Sequence, residues 1–172
     1  MQAETYLTYH ITSPRTLFNR EDVWSIPTEL LREASVPVEP YYVTLRLPEE
    51  PEPEFLLIQP FTPRNRLNAI AWLSGRSDGE NYGKLFALRF PASPLVDGPA
   101  QIEARIDSDV AVSRQFTLLG QQGSDLIRGN LLFLPVGNSY VYVESIFIQA
   151  ETASFPLLQA VVVVNGNRIA LE

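Results

Sequence analysis

Two dipeptides near the C-terminus constrain this chain more than any other local feature. Asn165-Gly166 separates an apolar run at 157–164 from a second at 168–171, and Gly137-Asn138 separates 125–136 from 140–149. Residue pairs of this kind adopt the positive φ angles of tight hairpin turns with little strain, so each predicts two adjacent antiparallel strands. The last fifty residues therefore read as β.

The same period of two begins at Tyr41. Across 41–47, Val43, Leu45 and Leu47 share one face while Thr44 and Arg46 share the other. This is the signature of a half-buried strand. An acidic, proline-rich tip at 49–54 separates it from a second run at 55–59, and the two predict a hairpin. The segment 84–90 alternates again, through Phe86, Leu88 and Phe90. Helical spacing is read at 64–75, from Leu67, Ile70 and Ala71, with Gly75 as its stop. Gly98-Pro99 opens a helix to Ile106, and Asp109 caps another to about Leu119. Residues 1–36 read as a helical N-terminal part packed on the main body through Tyr6, Tyr9, Phe18 and Trp24. Its short helices are placed at 3–10, after Ser13-Pro14, and at 27–33. Strands and helices do not alternate regularly. The prediction is an α+β fold, a largely antiparallel sheet with several short helices on one face or at one end, forming one domain over 1–172 with its mixed body at 41–172.

Composition excludes several functions. The net charge of −7 and the lack of a basic stripe argue against nucleic-acid binding. Without cysteine, the chain makes no disulfide, thiolate metal site or cysteine nucleophile. No run approaches the ~20 apolar residues of a membrane span, and the N-terminal MQAETYLTYH does not read as a signal peptide. The only histidine, His10, reads as a packing residue at a helix end rather than a general base. Glu103 and Asp107, four apart with Arg105 between them, read as a solvated helix face. No phosphate-binding glycine motif occurs, and no cofactor is expected.

The segment 60–84, PFTPRNRLNAIAWLSGRSDGENYGK, concentrates planar polar groups beside a Gly/Asp-rich loop. On a helix, Arg64, Asn68 and Trp72 would share one line at four-residue spacing, with Arg76 following directly. Such a row suits a carboxylate, phosphate or sugar through planar hydrogen bonds and stacking. The candidate binding set is Arg64, Asn68, Trp72, Arg76, Asp78, Asn81 and Tyr82. The competing reading is that these groups tie loops together. The loop at 77–81 lacks the ligand spacing of a twelve-residue calcium site and reads as a turn.

TPRNRLNAIAWLSGRSDGENYGKL, GPAQIEARIDSD, GSDLIRGNLLFLP and SYVYVESIFIQAE resemble successive blocks of uncharacterised protein family 0182, and TYHITSPRTLFNREDVWSIP is similar to a further block. Ser145 and Leu119 stand where similar proteins often have Pro and Trp. The resemblance implies a late, extracytoplasmic soluble segment of a multi-pass bacterial membrane protein, which would explain why no span or export signal is seen. It brings no catalytic residues. It implies a binding or assembly module, with the remainder of the parent membrane protein, another envelope protein or an anionic ligand as partner. The alternative is part of a cell-envelope enzyme completed by regions of the parent.

Overall fold

A computed structural model describes residues 2–32, 34–47, 50–121, 123–136, 139–150 and 155–172. Helix α1 (Gln2–Tyr9) and helix α2 (Pro14–Phe18) come first, followed by strands β1 (Trp24–Ser25), β2 (Thr28–Leu31), β3 (Ala34–Pro37), β4 (Tyr41–Leu45), β5 (Glu54–Pro63) and β6 (Ala71–Arg76). A single 3-10 turn (Gly79–Asn81) leads to β7 (Leu85–Arg89), then to helices α3 (Pro99–Ser108) and α4 (Val110–Leu119). Strands β8 (Ser124–Val136), β9 (Ser139–Ala150), β10 (Leu157–Asn165) and β11 (Arg168–Leu171) complete the described chain. The chain is α+β and mostly sheet. Among the described residues the strands form three sheets rather than one, and the pairs of the two larger sheets are antiparallel.

The chain divides into two compact units. The first comprises residues up to Pro27 together with Pro37–Gly98; the second comprises Thr28–Val36 and Pro99–Glu172.

In the first unit β5 is the organising strand. One edge pairs with β6 from Leu56↔Arg76 to Phe61↔Ala71, and β6 pairs onward with β7. The other edge is shared: β4 takes Glu54–Ile58, and β1 takes Thr62 and Pro63. Ten residues suffice for this because a strand advances about 3.3 Å per residue, giving roughly 30 Å of edge. Alternation separates two apolar clusters. Leu56 and Ile58 pack with Leu47, Val43, Leu45 and Phe86, while Phe61, Ala71 and Leu73 pack with Trp24 and with Tyr6 and Leu7 of α1. His10 fastens the end of α1: its ring stacks on Trp24 at 3.7 Å, and its nitrogens bond the carbonyls of Tyr6 and Asp22. The packing role read from the sequence is the observed one.

In the second unit β8 to β11 form a four-stranded meander. The β10–β11 pair closes at Asn165↔Arg168, as the Asn-Gly signal requires. Strands β8 and β9 pair down to Val136↔Ser139, although the Gly137-Asn138 turn itself lies outside the described residues. Asp109 accepts the N–H groups of Ala111 and Val112, which caps α4 as expected. Ile102, Ile106 and Val112 are buried, as are Leu131, Phe133, Tyr142, Ile146, Val162 and Val164 on the strands.

Two expectations are corrected. The helical reading of 1–36 holds only as far as Phe18: Trp24–Ser25, Thr28–Leu31 and Ala34–Pro37 are strands. Residues 27–33 contain too few apolar positions to fix a period, and a short apolar run does not distinguish helix from strand; Glu33 lies outside the described residues. The helix at 64–75 is absent. Ala71–Arg76 is instead a central strand whose Ala71, Trp72, Leu73 and Ser74 are all buried. A strand covered on both faces loses its period-two signature, so Leu67, Ile70 and Ala71 fell at helical spacing by coincidence.

Candidate binding groove

Without that helix, the predicted set separates into two groups. Arg64 is exposed at the Pro63 end of β5, where its backbone N–H bonds the Val23 carbonyl at 2.8 Å. Asn65 follows with φ 64°, which turns the chain. Asn68 donates to the carbonyl of Ala69 at 3.4 Å. Trp72 is buried and meets Phe90 edge-on at 5.1 Å. These three residues therefore form no ligand row.

Arg76, Asp78 and Asn81 are brought together at the opposite end of β5. Arg76 Nε donates to Glu54 Oε2 at 2.7 Å, and its Nη2 donates to Glu54 Oε1 and contacts Glu50 Oε1 at 2.8 Å. Asn81 donates to the same Glu54 carboxylate at 3.2 Å and accepts from Lys84 Nζ at 2.9 Å. Asp78 accepts the Phe55 N–H at 2.6 Å, so it bonds a neighbouring strand rather than its own turn. The hydrogen bond from Arg76 holds the Glu54 carboxyl below its usual range, and the bond to Glu54 in turn raises the Arg76 pKa. Gly79 and Gly83, with φ of 49° and 81°, give the loop the left-handed conformations that side chains disfavour. Gly83 N–H and Lys84 C=O complete the closure on the backbone of Arg76, at 2.8 and 2.9 Å. Arg76 is thus an internal tie.

The same loop carries Tyr82, 77% exposed, beside an open groove of about 380 Å³. The groove follows from the register. Leu57 faces Gly75 across the β5–β6 pair, and Gly75 faces Leu85 across β6–β7, so one row reads Leu, no side chain, Leu. Gln59 and Leu73 form the next row, and Ala3 of α1 and Pro40 close the sides. Beyond Leu57, Tyr42 and Phe55 stack at 4.9 Å, both exposed. Leu85 is 55% exposed. Contiguous apolar exposure with a polar rim is the usual mark of a contact surface.

The second unit holds a polar cluster that sequence reasoning missed. Arg128 Nε and Nη2 donate to the two oxygens of Glu144 at 2.5 and 2.8 Å, and Nη1 reaches Asp107 at 2.6 Å. The Phe116 ring lies 5.7 Å from the guanidinium. Glu29 accepts from Asn130 and from the Leu131 N–H, and Glu103 accepts the Leu30 N–H at 2.5 Å. Glu29, Glu103, Arg128 and Glu144 are all buried. Burial opposes the Arg128 charge, but hydrogen bonds and attraction to Glu144 and Asp107 prevail and raise its pKa. Burial raises the pKa of Glu144 despite Arg128, and pushes that of Glu103 to about 7. The face carrying Glu103 is therefore not solvated, contrary to expectation; Asp107 alone of that pair is exposed. A signal was present: Glu144 interrupts the buried alternation Tyr142, Glu144, Ile146, and a carboxylate at such a position needs a partner. Each carboxylate here is bound to groups of its own unit, so the cluster fixes strands and helices together. Among the described residues, no group of three or more His, Cys, Asp or Glu is arranged to hold a metal ion.

Comparison with known proteins gives the ancestry. The chain is 48% identical over 171 residues to a UPF0182 protein of Pelotomaculum thermopropionicum, covering 99% of this chain and 19% of that protein. It is 49% identical over 172 residues to a UPF0182 protein of Desulforamulus reducens, covering 100% and 18%. It is 50% identical over 171 residues to the UPF0182 protein alr1037 of a Nostoc species, covering 99% and 17%. The chain thus spans under a fifth of the length of these curated relatives. No solved structure matches it. The profile of the uncharacterised protein family UPF0182 matches residues 1–119, and the chain belongs to this family.

Proposed function

We propose that this chain is a binding or assembly module within a longer, extracytoplasmic portion of a bacterial membrane protein, and that its groove receives an apolar segment of that same protein. The observation that carries this reading is the row Leu57, Gly75, Leu85, which lines an open groove together with the exposed Tyr82. The occupant is apolar rather than anionic because Arg76, the cation at the rim, already holds two carboxylates. It belongs to the same polypeptide because chains like this one make up only 17–19% of their relatives. The membrane and extracytoplasmic parts of the reading come from the family resemblance; no helix among the described residues is long and apolar enough to cross a membrane.

The test is Leu85→Asp, made both in this 172-residue chain and in the longer protein. An exposed strand residue away from special features changes stability by about 0.5 kcal/mol or less, so the short chain should melt nearly as before. The longer protein should lose protection of the groove strands against hydrogen exchange. An equal response in both proteins refutes the docking. Sidedness is read with Glu80→Cys, labelled by a membrane-impermeant maleimide on intact cells; labelling only after lysis refutes the extracytoplasmic placement.

A further inference from the structure

Strands β2 and β3 form a two-stranded sheet of their own, and among the described residues no ladder joins them to the four-stranded sheet. A two-stranded sheet is marginally stable alone in water, so this one depends on what holds it. Two carboxylates make the attachment, one from each side. Glu29 of β2 accepts the Leu131 N–H at 2.8 Å and the Asn130 side-chain amide at 2.9 Å. The pairing of β8 with β9 shifts register at this place, between Arg128 and Leu131. In the other direction, Glu103 of α3 accepts the Leu30 N–H at 2.5 Å.

The charges around Glu103 do not balance. Arg128 of β8 is the buried cation of the cluster, and its nitrogens are already engaged: Nε and Nη2 by Glu144 of β9, and Nη1 by Asp107 of α3. The other charged side chains of the elements packed here are engaged or exposed. Arg105 donates to the Gly166 carbonyl at 2.6 Å, Asp109 caps α4, and Arg32, Arg114 and Asp125 are exposed. Three carboxyls, Glu29, Glu103 and Glu144, are thus buried with one guanidinium. An interior carboxylate that lacks a counter-ion takes up a proton instead. The hydrogen bonds indicate which one. Glu144 accepts two from Arg128 and Glu29 accepts two from β8, whereas among the described residues Glu103 accepts one, from Leu30. Glu103 is therefore the carboxyl that keeps a proton. Burial accordingly lifts its pKa to about 7, against the pull of the Leu30 bond and of Arg128.

We propose that Glu103 is a proton-controlled clasp on the β2–β3 pair. Protonated, it holds Leu30 and the pair stays closed on α3 and β8. Ionised, it is a third buried anion facing Glu29 and Glu144, and the pair leaves α3 and β8 so that water reaches Glu103 and Glu29. The sign follows from proton counting. Opened and hydrated, Glu103 releases its proton near the ordinary value of 4.5; closed, it keeps it to about 7. Between those values the closed form holds one more proton, so acid favours closure, closure weakens as pH rises, and the effect is complete above pH 7. The opening constant should grow about tenfold per pH unit across this interval, about 300-fold in all. The clasp lies wholly in the second unit, so it is independent of the groove and of the Leu85→Asp test.

Hydrogen exchange of the 172-residue chain is followed from pH 5 to 8, with each rate divided by that of an unstructured chain of the same sequence. The Leu30 and Leu131 amides report release of the clasp, and the amides of the β9–β10 ladder report unfolding of the unit. Leu30 and Leu131 should be less protected than the ladder by about tenfold or more. Their protection should fall about tenfold per pH unit up to pH 7 and then level. In Glu103→Gln, which keeps an acceptor for Leu30 without a charge, that slope should vanish. Protection equal to that of the ladder at every pH overturns the proposal, because the pair then opens only when the whole unit does. So does protection that is independent of pH, or a slope that survives in Glu103→Gln.

Discussion

Replacing Glu103 by glutamine should stabilise the second unit at neutral pH, although it removes a buried hydrogen-bonding carboxylate. Glu103 is 4% exposed on α3 and accepts the Leu30 N–H. Burial dominates and lifts its pKa from 4.5 to about 7, against the Leu30 N–H bond and Arg128, which favour the charge, while Glu144 and Glu29 oppose it. The unfolded chain therefore releases this proton near pH 4.5, while the folded chain keeps it to about pH 7. Between those values the folded state binds more protons, so stability falls as pH rises, and the loss is complete above pH 7. The gap between the two values, at about 1.4 kcal/mol per pH unit, amounts to about 3 kcal/mol. That is a large part of the 5–15 kcal/mol typical of a domain. Glutamine keeps an acceptor for Leu30 and carries no charge. Glu103→Gln should thus match the parent chain near pH 4.5 and exceed it by about 3 kcal/mol at pH 8. Both tryptophans, Trp24 and Trp72, lie in the first unit, so the readout is urea unfolding followed by helical circular dichroism. A stability difference that stays constant within about 0.5 kcal/mol from pH 5 to 8 refutes the argument. It would mean that Glu103 is ionised throughout, its charge held by Arg128.

Arg128→Met should be far more damaging, because it strands the fully buried Glu144 without its bidentate partner. The expected loss is about 3–5 kcal/mol, most of it recovered in the double variant with Glu144→Leu; single and double variants of equal stability would contradict this. Gly98→Ala should destabilise the first unit by about 1–3 kcal/mol, since an added Cβ would run into the backbone carbonyl of Leu67, which cannot rotate away. Tryptophan fluorescence during unfolding reads this directly, and an unchanged midpoint would show that the backbone yields.

Legibility in the sequence followed the physics of each element. Strands β8 to β11 were readable because each is half-buried and bounded by turn dipeptides, so alternation survives in their residues. Helices α3 and α4 were readable from Pro99 and the Asp109 cap. Strand β6 was misread because β5 and β7 flank it and its first four residues, Ala71 to Ser74, are all buried, so they carry no alternation. The same error put Arg64, Asn68 and Trp72 on one line, which they share only on a helix that does not form. The groove was hidden for a different reason. Leu57, Gly75 and Leu85 are 18 and 10 residues apart, and only the pairing register makes them one row.

The polar richness of 60–84 and the apolarity of the groove are two aspects of one construction. A ligand anion at Arg76 would have to displace Glu54, whose carboxyl is held below its usual range by that same guanidinium and is also bonded by Asn81. The exchange would replace one bidentate carboxylate with another and leave Asn81 to find a new acceptor, so it offers little gain. What the ties accomplish is positional. Arg76 and Asn81 both bind Glu54, and Asp78 binds the backbone of Phe55, so the turn between β6 and β7 is anchored to the start of β5 at three points. An anchored turn holds Tyr82 beside the groove at little further cost in conformational entropy when a partner arrives, which is how preorganised contacts gain affinity. In the docking proposed above, Arg76 and Asn81 would matter through where they hold Tyr82, and Tyr82 and Leu85 would be the side chains that the docked segment touches.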